Sequence, residues 1–162
     1  SSCILTTQLM IFVNSSNQTL YFFQDDKLVY ESRISTSMYG MGCTINSYKT
    51  PTGLHNIAAM IGHGLPAGTL FKHRKPTAEI VKEIPKDNHD YITSRILRLS
   101  GLEEGMNKGG NVDSYNRYIY IHGSPHYDKL GSRQSQGCIR MSDDDVIELF
   151  KLVNNKTLVL ID

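Results

Sequence analysis

The sequence predicts one mostly β domain with long shaped loops and a single substantial helix near its C-terminal end. Three observations point there. Short apolar runs with partial period-two alternation open the chain, Gly and Pro interrupt its middle, and one capped, helix-patterned segment precedes a last apolar run. At 162 residues, the chain can hide about 70% of the surface its unfolded form exposes, so a core needs neither disulfides nor a metal. Residues 1–7 read as an N-terminal tail and 8–162 as one domain.

Taken in order, Gln8 to Val13 reads as a strand and Asn14 to Gln18 as a polar turn. Thr19 to Gln24 and Lys27 to Ile34 flank Asp25-Asp26 as a half-buried hairpin, with Leu20 and Phe22, then Leu28, Tyr30, Ser32 and Ile34, carrying the alternation. Thr36 to Gly53 is loop; in Thr50-Pro51-Thr52-Gly53 the proline ring fixes its own backbone and restricts Thr50. Between Leu54 and Pro85 the pattern is weak, and repeated Gly and Pro predict only short elements. Ile96, Leu97 and Leu99 resemble a short strand, and Gly101 to Asn116 a long loop able to shape a site. Tyr118 to Ile121 reads as a strand ending at His122. Ser142, followed by Asp143, Asp144 and Asp145 and then by Val146, Ile147, Leu149, Phe150, Leu152 and Val153, predicts a helix: the Ser142 hydroxyl accepts from an unpaired amide and the acids face the positive end of the dipole. That helix is expected to stop near Asn154-Asn155, before a final strand over Thr157 to Ile161.

Composition excludes some functions. Seventeen Lys plus Arg against sixteen Asp plus Glu leave a formal charge of +1, which argues against a broad nucleic-acid footprint. No apolar run approaches the roughly 20 residues that span a bilayer. The chain opens Ser-Ser-Cys without an initiator Met and reads as processed or trimmed, so a missing leader does not argue for the cytoplasm. Its three cysteines, Cys3, Cys43 and Cys138, cannot all pair within one chain, and at least one thiol needs another explanation.

The chemistry-bearing residues concentrate between His122 and Met141. A thiol is a weak nucleophile until an imidazole takes its proton, and His122 and Cys138 form such a candidate pair, with fifteen residues between them. Gly137 permits its own amide and that of Cys138 to turn inward toward a developing oxyanion. Arg140 is suited to favour thiolate or hold a substrate carboxylate, with a structural ion pair as the alternative. His126 reads as a solvent-exposed turn residue rather than a cleft residue. A zinc site from His122, His126 and Cys138 lacks a compact ligand pair and a fourth ligand, so no metal is expected. Tyr118 and Tyr120 line a groove or pack within the sheet.

His122-Gly123 followed by Ser135-Gln136-Gly137-Cys138-Ile139-Arg140 resembles the signature of the L,D-transpeptidases, the YkuD-like catalytic domains of bacterial cell-wall metabolism. The resemblance spans roughly Gln8 to Ile161, loosely over Leu54 to Asn116. It implies a YkuD-like β-sandwich, with Cys138 as nucleophile, His122 as base and the Gly123 backbone carbonyl orienting the imidazole. The Gly137 and Cys138 amides form the implied oxyanion hole, and Arg140, Ser135, Gln136 and Tyr120 are the implied substrate-binding residues. Gln136 departs from the commonest motif, which has histidine there, and a Gln side chain does not exchange protons near neutral pH. Four retained motif residues, His122, Gly137, Cys138 and Arg140, favour retained chemistry.

The activity implied is cleavage of the diamino acid–D-Ala bond of a peptidoglycan stem tetrapeptide through a Cys138 thioester, then transfer to an amine of another stem or an envelope protein. The alternatives are an L,D-carboxypeptidase, a hydrolase of murein or lipoprotein cross-links, and a peptidoglycan-binding module without turnover. No cofactor is required, and a monomer of the bacterial periplasm or envelope, secreted or lipid-anchored, is expected. Cys138 is expected to stay reduced, because pairing with Cys43 would block the chemistry. Cys3 reads as a lipoprotein terminus or part of a disordered tail.

Overall fold

The computed structural model describes residues 6–162, so the reading of Cys3 lies outside the described residues. Strands β1 (Leu9–Asn14), β2 (Thr19–Gln24), β3 (Lys27–Arg33), β4 (Gly53–Ile61) and β5 (Thr69–Lys72) come first. They are followed by β6 (Lys75–Ile80), β7 (Ile92–Gly101), β8 (Tyr120–Ser124), β9 (Ile139–Ser142), helix α1 (Asp143–Leu152) and β10 (Leu158–Ile161). The described residues thus form a mostly β domain with one α-helix, as the sequence predicts.

The opening hairpins follow from the alternation. Ile11 and Val13 of β1 and Leu20 and Phe22 of β2 are fully buried, and the two strands pair antiparallel from Leu9↔Gln24 to Asn14↔Thr19. Asp25 and Asp26 have φ of 49° and 67°, the left-handed values that a tight hairpin turn asks of both central residues and that Asp tolerates better than most. Strand β3 keeps its pattern less well: Leu28 and Val29 are 51% and 47% exposed. It is an edge strand, and a bulge at Phe22/Phe23 shifts its register.

The strand order β3-β2-β1-β10-β4-β7 continues past β7 in two directions, to β5-β6 and to β8-β9. That branching curls the sheet. Strand β7 carries it by pairing with β5 at Ile92 and Thr93, and with β8 from Thr93↔Gly123 to Arg98↔Tyr120, across a register shift that contains Ser94 at φ 71°. Ile57, Leu97, Leu99, Ile121, Ile139, Val159 and Ile161 fill the core with the hairpin residues. Helix α1 packs on β7, β8 and β9 through Val146, Leu149 and Phe150, the i, i+3, i+4 stripe expected of one buried helix face. Its start matches the sequence reading: Ser142 Oγ accepts from the Asp145 amide at 3.1 Å.

Three boundaries differ. The weak Leu54–Pro85 region holds the nine-residue β4, paired on one side with β10 and on the other with β7. Strand β7 has ten residues instead of a short core run. Strand β8 begins at Tyr120 and runs through His122 to Ser124: Tyr118 has a left-handed φ of 57°, which breaks the extended run, while parallel pairing with β9 extends it beyond the histidine.

Candidate active site

Parallel pairing of β8 with β9 sets His122 opposite Arg140, with Ile121 opposite Ile139. The two isoleucines are fully buried in the core, so the alternation of a strand turns His122 and Arg140 to the other face. Both are nevertheless buried there, at 0% and 5% exposure. His122 Nδ1 lies 2.7 Å from the Gly123 carbonyl. As the carbonyl can only accept, Nδ1 carries the proton and donates, which leaves Nε2 with its lone pair as the basic nitrogen. Gly123 is demanded by the close approach of the strands: a Cβ would sit 2.4 Å from the Thr93 carbonyl oxygen and 2.9 Å from Asp143 Oδ1.

Cys138 precedes β9 by one residue, at the end of a tightly wired turn. Ser135 is fully buried; its Oγ donates to the Cys138 carbonyl at 2.5 Å and accepts from the Gly137 amide at 3.2 Å. Gly137 has φ +125°, a conformation that favours glycine, and its carbonyl accepts from Thr50 Oγ at 2.9 Å. Ser135 therefore shapes the turn and does not face a cleft. Of the two amides expected to hold an oxyanion, that of Gly137 is engaged by Ser135, which leaves the Cys138 amide outside that contact.

The sulfur rests on backbone. It accepts from the Tyr120 amide at 3.3 Å, and its S–H donates toward the Tyr118 carbonyl at 3.4 Å. His122 Nε2 is buried with no hydrogen-bond partner among the described residues, so the imidazole and the thiol, carried on adjoining chain segments by the β8–β9 pairing, are not hydrogen-bonded to each other in this arrangement. Burial pushes the Cys138 thiol up to about 12, and the charge of Asp90 acts in the same direction, against the Tyr120 amide, Arg140 and Arg117. Burial likewise holds His122 below the ordinary histidine value, outweighing the pull of Asp90. Both groups rest neutral near pH 7, one a thiol and the other an imidazole.

Three contributors escaped the sequence reading. Asp90 Oδ1 lies 2.9 Å from one terminal nitrogen of Arg140, 3.1 Å from its Nε and 3.9 Å from His122 Nε2. Arg117 donates to the Lys49 carbonyl at 2.6 Å and to the Gly42 carbonyl at 3.3 Å, stapling the 42–49 loop beside the thiol. Thr50, singled out in sequence only as part of a turn, holds Gly137. A cleft of about 380 Å³ lies on the Cys138 side, lined by Ile45, Tyr48, Arg117 and Tyr118 among others. A second of about 510 Å³ lies on the Asp90 side, lined by Asp87 to Asp90. Gln136 is exposed and borders both.

The remaining candidates sit as follows. The Tyr120 ring is buried in a second apolar cluster with Phe71 and Ile96, against which Cys138 also packs, and its hydroxyl accepts from Arg74 at 3.1 Å; its hydrogen bond to the sulfur comes from the backbone amide. His126 is 2% exposed, contrary to the expected solvated turn, because the 87–91 loop folds over it: its Nε2 bonds the Asp87 carbonyl at 2.9 Å and Tyr91 packs against its ring. Cys43 lies near Thr52 and is not joined to Cys138.

A curled β domain presenting a cysteine, a buried histidine and a backbone carbonyl that orients it defines the class. Residues 8–161 match the profile of YkuD, the L,D-transpeptidase catalytic domain, and the chain belongs to that family. Among solved structures it is similar to an L,D-transpeptidase from Mycobacterium smegmatis, at 14% identity and a TM-score of 0.60 over 96% of this chain and 59% of that one. It is also similar to a mutant of the Enterococcus faecium L,D-transpeptidase, at 18% and 0.59 over 96% and 50%. L,D-transpeptidase 3 from Mycobacterium tuberculosis aligns at 15% and 0.60 over 96% and 61%, and has also been solved with a faropenem-derived adduct. The chain thus spans between half and about three fifths of these proteins. No curated protein matches the sequence.

Proposed function

We propose that this domain is a cysteine acyltransferase acting on peptidoglycan stem peptides in the bacterial envelope, an L,D-transpeptidase in activity as well as in family. The observation that carries the reading is the buried His122, its Nδ1 held by the Gly123 carbonyl at 2.7 Å and its Nε2 unpartnered, on a strand paired parallel with the one that follows Cys138, which itself lines an open cleft. A nucleophile–base pair with an oriented base is what thiol acylation needs.

Rotation of the Cys138 side chain away from Tyr118 delivers the thiol proton to His122 Nε2. The sulfur then attacks the carbonyl of the diamino acid residue that carries the terminal D-Ala. The tetrahedral oxyanion is met by the Cys138 amide, joined by the Gly137 amide as it exchanges Ser135 Oγ for the developing charge. Collapse breaks the C–N bond, His122 returns the proton to the leaving D-Ala amine, and a thioester remains. An incoming amine, deprotonated by the same imidazole, takes the acyl group and regenerates the thiol. Water in place of the amine makes a carboxypeptidase, and a cross-link in place of the tetrapeptide makes a hydrolase. Gln136 borders both clefts as a polar bridge with no part in proton transfer.

Incubation with tetrapeptide muropeptides, followed by mass analysis, tests the reading. A higher-mass dimer and a Cys138-dependent acyl-enzyme are expected. Loss of D-Ala alone assigns a carboxypeptidase, and breakdown of dimers or of protein anchors assigns a hydrolase. Muropeptide binding that survives Cys138→Ala, with no thioester and no faropenem adduct on the unmodified chain, means a binding module and refutes the enzyme.

A further inference from the structure

We infer that Asp90 is a displaceable occupant of a carboxylate seat on Arg140, and that the seat's ligand is the free α-carboxylate of the residue leaving from the scissile bond. This rests on the acyl-transfer reading above and adds to it which substrate end is recognised and what holds its place.

Two features of the contact carry the inference. The first is its side. An acid that orients a catalytic histidine binds the nitrogen remote from the reaction, but Gly123 already occupies Nδ1. Asp90 lies instead 3.9 Å from Nε2, at the end that must face the thiol and the leaving amine. The second is its shape. Nε and a terminal nitrogen of Arg140 converge on the single oxygen Oδ1, whereas a guanidinium edge matches two carboxylate oxygens in parallel. Asp90 fills the edge incompletely, and a carboxylate offering both oxygens competes for it.

The surroundings allow the exchange. Arg140 is a buried cation at 5% exposure, while the Asp90 side chain is 32% exposed on a loop outside the sheet that borders the larger cleft. The loop is tied down from the 126–129 segment by His126 on the Asp87 carbonyl and Lys129 on Asn88. In an acyl–D-amino acid the α-carboxylate lies within about 4 Å of the scissile carbonyl carbon, three covalent bonds away. A carboxylate on Arg140 therefore places that carbonyl beside the catalytic pair. A stem whose terminal carboxyl is amidated or extended lacks this handle.

Two alkylating agents of equal shape test the seat without requiring turnover: iodoacetate, an anion, and iodoacetamide, its neutral analogue, each timed on Cys138 by mass. Asp90→Asn is expected to raise the iodoacetate-to-iodoacetamide rate ratio at least tenfold over the unmodified protein, and adding Arg140→Gln to return it to the starting value. A ratio within twofold in Asp90→Asn overturns the inference. So does a rise that persists without Arg140, because it then reflects only a lost negative charge near the thiol. Should Arg140→Gln fail to fold, protection replaces it. N-acetyl-D-alanine must slow iodoacetamide labelling of Asp90→Asn and its C-terminal amide must not; equal protection by the two overturns the seat. Absent muropeptide turnover with an intact ratio change defeats the acyl-transfer reading, and turnover with no ratio change defeats the seat.

Discussion

Removing one hydroxyl, by Ser135→Ala, tests how the nucleophile turn is held. Ser135 Oγ serves two backbone groups at once, accepting from the Gly137 amide at 3.2 Å and donating to the Cys138 carbonyl at 2.5 Å. The turn has little freedom to find substitutes. The Ser135 amide donates to the Thr36 carbonyl at 3.0 Å and its own carbonyl accepts from Met38 at 2.9 Å, while Ser135 and Gly137 are buried from water. A buried group left unpaired costs about 1 to 3 kcal/mol; the Gly137 bond is long and belongs at the lower end, so the pair predicts a loss of about 2 to 4 kcal/mol. Against a typical total of about 5 to 15 kcal/mol, the variant folds but its urea midpoint falls clearly. Turnover is expected to fall at least tenfold with KM little changed, because the carbonyl released is that of Cys138, the proposed nucleophile. A stability loss below about 0.5 kcal/mol together with unchanged turnover refutes the assignment of Ser135 to turn geometry.

Gly123→Ala, whose Cβ would stand 2.4 Å from the Thr93 carbonyl oxygen, is expected to cost about 3 kcal/mol or more, at the top of the overpacking range; an unchanged melting temperature contradicts this. Asp143→Asn is expected to lose about 2 to 4 kcal/mol in urea unfolding, because the buried carboxylate takes hydroxyl donors from Thr93 at 2.5 Å, Ser94 and Tyr127, and an amide keeps one acceptor oxygen. His55 and His122 are both held below the ordinary histidine value by burial. The unfolded chain therefore binds protons that the folded one refuses, and stability drops as pH falls below about 6.5, by up to about 1.4 kcal/mol per pH unit for each histidine. A urea midpoint flat from pH 7.5 to 5.5, or unaltered in its slope by His55→Gln, rejects that linkage.

What could be read from sequence divides along a physical line. Cys138, His122, Gly123, Gly137 and Arg140 lie in two short segments, and adjacent parallel strands bring those segments together; proximity in sequence stood in for proximity in space. Asp90 had no such proxy, since it reaches Arg140 from 50 residues away in a stretch without periodicity. Strand β4 was hidden because His55 and Asn56 break its apolar run, yet β10 and β7 supply partners on both sides, and His55 is satisfied by the Gly53 carbonyl at 3.0 Å and Ser114 Oγ at 2.8 Å. Tertiary pairing overrode local preference there. The exposed reading of His126 failed for the same reason: its cover is a loop remote in sequence.

Orienting the histidine with a carbonyl instead of a carboxylate has an electrostatic consequence. A full charge about 4 Å from an ionising group contributes about 4 kcal/mol at an effective dielectric of 20, some three pH units. A carboxylate on Nδ1 would impose that field permanently on the imidazole, favouring the imidazolium over the neutral base. The Gly123 carbonyl holds the same proton without a net charge, so the carboxylate nearest the basic nitrogen is Asp90, whose charge Arg140 balances. In the proposed acyl transfer, exchanging Asp90 for the carboxylate of a leaving D-amino acid keeps that balance while the acyl-enzyme forms. Once the C–N bond breaks, the departing product takes its carboxylate with it, Arg140 stands uncompensated, and the return of Asp90 becomes favourable. The loop that covers the seat at rest thereby opposes rebinding of the released amino acid, and a domain whose Asp90 is neutralised is expected to show stronger product inhibition by D-Ala than the unmodified one.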